Sequence, residues 1–191
     1  DATFAYDANG NQIARTDARG TTALSNDDDN RVIQIVSPGG AGTMFEYDVY
    51  GRRIATDGAM GERRFAFDGA TPILEFGPML SAGTAYICVG DSLVAGRPLG
   101  TSGVQMVAAY HGDRLGSVVN TSDGEGFARA AYGHGAFGEG GSQASAPPQP
   151  YQFLGQLGVR TDGTAGGLYV MGLRTYDAEG GRFTTVDPFP G

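Results

Sequence analysis

The sequence predicts an all-β protein built from repeated antiparallel β-hairpins, and three observations predict it. Phe4, Tyr6, Asp7 and Gly10, with Ile13 three residues on, return as Phe45, Tyr47, Asp48, Gly51 and Ile54. Weaker copies fill the intervals, because Leu24, Asn26, Asp27, Asn30 and Ile33 hold the same places and Phe65, Phe67, Asp68 and Gly69 begin a fourth. The register starts at 4, 24, 45 and 65, a period of 20 or 21 residues. A unit of that length is too small to bury its apolar face alone and implies stacked repeats. The second observation is alternation, which sets Phe4 and Tyr6 on one face of a strand. The third is that 33 Gly and 9 Pro in 191 residues leave few windows long enough for a helix.

Each element follows from the same chemistry. In Phe4-Ala-Tyr-Asp-Ala-Asn-Gly10 the Asp at the strand exit accepts amides of its own turn, and the Gly three residues later tolerates positive φ. The unit is therefore a hairpin, and the next begins where the last ends. Past residue 70 the spacing loosens, but apolar runs at 72–77, 84–89, 92–96, 104–110, 116–121 and 126–132 predict further strands. Residues 138–150 have a Gly, Ser and Pro composition that predicts a flexible loop before a last block. The expected organisation is repeats over 1–70, continuing hairpins over 71–137, the loop over 138–150 and a terminal block over 151–191.

Composition excludes some partners. The net charge is −8 and the basic residues are scattered, so the stripe needed for phosphate binding is missing and no nucleic-acid partner is expected. No run of about 20 apolar residues predicts a membrane span. All 13 basic residues are Arg. Coding bias is one reading, and Arg forks paired with turn carboxylates is the other. The one cysteine, Cys88, lies in an alternating run and reads as a small apolar residue. Because the chain starts in mid-pattern at Asp1, it reads as part of something longer.

The later motifs carry a resemblance. Tyr110-His-Gly-Asp-Arg-Leu-Gly-Ser-Val118, Phe137-Gly-Glu139, Tyr151-Gln-Phe-Leu-Gly-Gln156, Gly167-Leu-Tyr169, Leu173-Arg-Thr-Tyr-Asp177, Gly181-Arg-Phe183 and Val186-Asp-Pro188 follow one another in a fixed order. That order resembles the RHS repeat-associated core, and the upstream Tyr-Asp units resemble the YD repeats of the same RHS/YD family, which includes bacterial toxin shells and the teneurins. The resemblance covers essentially the whole chain. It implies a spiralling YD-repeat sheet, in a shell or fibre, with a terminal core block that ends here after a first Asp-Pro element. It also implies structural roles for Tyr6, Asp7, Gly10, Tyr47, Asp48, Gly51, His111, Asp113, Gly116, Gly181, Arg182 and Phe183. Rings recurring on one face are expected to stack into ladders across neighbouring strands.

Candidate chemistry is sparse. Asp187 matches the family's first Asp-Pro element, where one of two cooperating carboxylates of an aspartyl autoprotease resides, and the second would lie downstream. A turn cap ahead of Pro188 is the alternative, and the extra residue before Gly191 departs from the commoner Asp-Pro-x-Gly spacing. His111, Asp113 and Ser117 supply triad residue types, but no nucleophile elbow or oxyanion donors accompany them. His134 is an isolated loop histidine. Asn26-Asp-Asp-Asp-Asn30 alternates oxygen ligands yet lacks the central Gly and closing Glu of a calcium loop. No metal or cofactor is expected.

Three functions remain open. The first is a non-catalytic, secreted or cell-surface β-shell piece that encapsulates or presents a C-terminal, toxin-like segment. The second is an extracellular fibre or adhesin that self-assembles through its repeats and binds glycans or cells. The third is an autoprotease, incomplete here. An open strand edge at Phe4–Asp7 predicts pairing with neighbouring repeat segments or identical chains, as oligomers or a filament.

Overall fold

Among the described residues thirteen strands follow one another in chain order in two units, and within each unit every strand is antiparallel to the one before. The computed structural model describes residues 2–59, 61–79, 83–100, 107–140, 149–161 and 167–188. The predicted loop at 138–150 and the run at 104–110 fall partly outside them, as does Gly191. Contacts divide the chain into unit 1, Asp1–Glu62 with Asp162–Gly191, and unit 2, Arg63–Thr161.

Unit 1 holds β1 (Thr3–Tyr6), β2 (Gln12–Asp17), β3 (Gly20–Asn26), β4 (Val32–Val36), β5 (Gly42–Tyr47) and β6 (Arg53–Asp57), paired in that order. Unit 2 holds β7 (Arg63–Asp68), β8 (Thr71–Phe76), β9 (Gly83–Val89), β10 (Ser92–Pro98), β11 (Ala108–Gly112), β12 (Val118–Ser122) and β13 (Ala128–Ala131), paired likewise. A 3-10 turn at Gly155–Leu157 and β14 (Arg160–Thr161) follow. The chain then returns to unit 1 as β15 (Leu168–Met171), β16 (Arg174–Asp177) and β17 (Arg182–Phe183), again antiparallel.

The Asp-x-x-Gly element is a type I turn closed by a glycine bulge. Gly10 N–H donates to Asp7 O at 3.1 Å and Asp7 N–H to Asn11 O at 2.9 Å, and the same pair of bonds recurs at Asp27, Asp48, Asp113 and Asp123. Gly10 and Gly51 sit at φ 84° and 79°, and Asn30 takes that place at φ 60°. The fourth copy departs from the pattern, because Asp68 pairs with Thr71 across a two-residue loop that puts Gly69 at φ 57°.

Each unit has its own core. In unit 1, Leu24, Val32, Ile35 and Phe45 pack with Leu168 from the returning chain. In unit 2, Tyr86, Leu93, Tyr110, Val118, Ala130 and Tyr132 surround Tyr151, with Cys88 packed against them. Guanidinium groups stack on the equivalent rings of the repeat. The equivalent rings Phe4, Phe45 and Phe65 lie under Arg182 at 5.1 Å, Arg53 at 3.8 Å and Arg160 at 3.6 Å.

Candidate functional site

The turn aspartates are engaged by their own turns. Asp7 Oδ1 accepts the amides of Asn9 at 2.9 Å and Asn11 at 2.8 Å, and Asp48 Oδ1 those of Tyr50 and Arg52, both at 2.9 Å. The Asn11 side chain, donating to Asp7 Oδ2 at 3.0 Å, is the main cause that holds the Asp7 carboxyl below its usual range. For Asp48, burial pushes upward but is outweighed by the Arg52 fork at 2.7 Å and the backbone donors, so its carboxyl also lies low. Tyr47 Oη donates to Val32 O at 2.6 Å and accepts from Arg53 at 3.0 Å.

The Asn26–Asn30 stretch has the same construction. Asp27 Oδ1 accepts amides of Asp29 and Arg31, its Oδ2 takes the Arg31 guanidinium at 2.7 Å, and Asp29 meets the same guanidinium at 3.0 Å. The Asp27 and Asp29 carboxylates are thus occupied by amides and a cation. Among the described residues no group of three His, Cys, Asp or Glu side chains is gathered for a metal.

His111, Asp113 and Ser117 point to different partners. His111 Nε2 lies 2.8 Å from Ser122 Oγ, Asp113 Oδ1 accepts the Leu115 and Ser117 amides, and Ser117 Oγ accepts the Leu154 amide at 3.1 Å. Gly116 N–H closes the turn on Asp113 O at 3.1 Å. Both ring nitrogens of His134 are enclosed without a hydrogen bond, the ring stands 5.9 Å from Phe153, and burial lowers its basicity. Asp187 is half exposed, and its Oδ2 pairs with Arg174 at 3.0 Å.

Gly181-Arg182-Phe183 brings the returning chain to the first repeat. Gly181 turns at φ 62°, Arg182 Nη1 donates to Tyr6 Oη at 3.1 Å, and Phe183 meets Tyr176 edge-on at 5.5 Å beneath Arg174.

The residues that sequence reasoning missed are buried charges. Asp177, at 0% exposure, accepts Arg15 Nη1 at 2.8 Å and Gln12 Nε2 at 3.3 Å, with Arg15 at 3% and Gln12 at 0%. Arg53 Nη2 donates to Thr175 Oγ1 at 2.9 Å, and the backbone joins in through Gln12 N–H to Thr184 O at 2.7 Å. In unit 2, Tyr86 Oη donates to Glu75 at 2.7 Å and packs edge-on to Tyr151, whose own hydroxyl burial pushes up to about 12. The available signal was Arg15, a cation in mid-strand, and Asp177 in a Tyr-Asp copy without a repeat after it.

No family model matches this chain, and no curated protein matches it. Solved structures do. A TcdB2-TccC3-TEV crystal structure matches with TM-score 0.68 at 18% identity, over 96% of this chain and 10% of that chain. The Photorhabdus luminescens Tc holotoxin pore with a mutated TccC3 matches with TM-score 0.62 at 16% identity, over 98% of this chain and 12% of that one. TcdB2-TccC3 without its hypervariable C-terminal region matches with TM-score 0.60 at 15% identity, over 98% and 12%. This chain covers 10% of the first neighbour's length and 12% of the other two. The likeness shows the fold: repeated hairpins with a returning block, an RHS-like all-β architecture found in Tc toxin chains.

Proposed function

We propose that this chain is a structural piece of an RHS/YD-repeat β-shell, its hairpins forming wall and its terminal block helping to enclose or present a C-terminal segment, in a secreted or cell-surface protein. The observation that carries this reading is the likeness to Tc toxin chains over 96% of the chain, terminal block included. That one of these neighbours retains the fold without a hypervariable C-terminal region supports a wall that is separate from what it presents. The role is non-catalytic in this reading. The turn carboxylates hold amides and guanidinium groups, and Asp187 is ion-paired with Arg174.

Limited proteolysis of the full-length parent tests it. The segment beyond Asp187 is expected to resist protease until denaturant opens the fold, and equal cleavage with and without denaturant sinks the reading. A longer chain in which Asp187→Asn abolishes a self-cleavage seen in the natural sequence would instead establish the autoprotease. The second reading, a self-assembling fibre, draws on β1, whose neighbour in the strand order among the described residues is β2. Light scattering across a concentration series and glycan-array binding separate it from the shell.

A further inference from the structure

A register shift recurs in the even-numbered strands from β2 to β12, each time inserting one extra residue, and once more in β13 at Arg129, where the preceding Ala128 is exposed. In the even-numbered strands the extra residues are Ile13, Ile33 and Ile54 in unit 1, and Ile73, Val94 and Val119 in unit 2. The residue just before the bulge is buried in all six strands: Gln12, Val32, Arg53, Pro72, Leu93 and Val118. A bulge sets two residues against one partner and bends the strand. The earlier residue stays on the covered face, while the extra one turns outward, leaving Ile13 and Ile33 40% and 37% exposed.

Later segments lie on these pre-bulge positions, the returning chain in unit 1 and residues 149–161 in unit 2. Gln12 meets Asp177 through its side chain and Thr184 through its amide, Val32 packs in the cluster of Leu168, and Arg53 binds Thr175. In unit 2, Leu93 and Val118 pack in the cluster of Tyr151, and Pro72 lies beside Gly158. Polar positions meet polar residues, and apolar positions meet apolar ones. A surface that only filled a core would not hold a buried Gln and a buried Arg, since each is costly without a dedicated partner.

We propose that the pre-bulge residue of each even-numbered strand is the seat at which a hairpin receives the later segment that lies on it, and that its chemical type selects the residue seated there. In unit 1 the selection also fixes register. Thr175 and Asp177 are the buried residues of β16, two apart on one face. A one-residue slip would turn both outward, and a two-residue slip would carry Asp177, the carboxylate closest to Arg15, away from it. Gln12, Arg15, Val32 and Arg53 are the specificity-determining set for a hairpin that carries Leu168 on β15 and Thr175-x-Asp177 on β16. The inference concerns recognition within the chain and stands whether or not the chain belongs to a shell.

Hydrogen exchange on the intact chain tests it, read in the peptide spanning residues 174–184. Val32→Thr keeps shape but puts a hydroxyl on the seat, and exchange there is expected to rise about tenfold; Ile33→Thr, one residue on, should change it less than about threefold. Asp177→Asn should raise it at least about tenfold by removing the carboxylate charge closest to Arg15, and Arg15→Met with Asp177→Leu should recover most of that protection. Equal effects at 32 and 33, or additive losses in the Arg15 and Asp177 pair, overturn the proposal. Because Val32→Thr is mild, the comparison survives even if Asp177→Asn prevents folding.

Discussion

Arginine works in this molecule in two ways at the scale of the single side chain. Arg31, Arg52 and Arg129 reach turn carboxylates, while Arg53 and Arg160 lie flat on repeat phenylalanines. Both uses need the planar fork, so the absence of Lys has a structural reason at these positions whatever the coding bias. Arg53→Lys keeps the charge but loses stacking on Phe45 and part of the bonding to Tyr47 and Thr175. A loss of about 1–3 kcal/mol is expected in urea unfolding, and a change below about 0.5 kcal/mol would contradict this account. Asp17 carries the pH signature. The Arg19 side chain, then its amide, lower the Asp17 carboxyl from 3.8 to about 2. A depressed folded value stabilises above the unfolded value, so this contribution is complete above pH 3.8 and fades as pH falls towards about 2. A carbon NMR titration should place the midpoint of Asp17 near 2, and Arg19→Ala should move it back towards 3.8.

At the scale of the element, the hairpin was legible and its distortion was not. Asp7, Gly10, Asp48 and Gly51 announced the turn because its chemistry is local: one carboxylate, two amides and one positive φ within five residues. Ile13, Ile33 and Ile54 were visible as part of the period, but their role as bulge residues depends on the register of the partner strand, which no local pattern encodes. The arginine stacking was hidden for a related reason. Phe4 and Phe65 are covered by arginines that arrive from residues 182 and 160, far away in sequence. The pairing of Arg15 with Asp177, 162 residues apart, lay equally beyond reach. The local part of the argument makes its own prediction. Gly51→Ala places a Cβ at φ 79° with the Leu173 methyls 3.6 Å away, so the cost is backbone strain more than crowding. About 1–2 kcal/mol should be lost in chemical denaturation. Asn30→Gly, at the equivalent place, should be neutral or slightly stabilising, and a loss at Asn30 would mean that its side-chain bonds to Asn9 and Asn11 matter more than φ.

At the scale of the whole molecule, unit 1 is discontinuous, and its buried cations gain their shortest contacts only once the chain has returned. Gln12, Arg15 and Arg53 are covered by Thr175 and Asp177, and Leu24, Val32, Ile35 and Phe45 by Leu168. Contacts of such long sequence separation form late and slowly, since loop closure precedes any gain from them. A chain ending at Thr161 therefore retains β1 to β6 but presents an uncovered face with two cations and an apolar cluster. Burial of Leu168 alone is worth about 1.5–3 kcal/mol, and Arg15 loses the Asp177 carboxylate at 2.8 Å while keeping Asp17 at 3.6 Å. The truncated chain should bind an apolar dye and lose exchange protection in β2 to β5. Adding the 162–191 peptide in trans should restore part of that protection, whereas the same peptide carrying Asp177→Asn should not. Full protection in the truncated chain would show that the repeats are stable without their returning block, and that the buried ion pair is dispensable to the sheet beneath it.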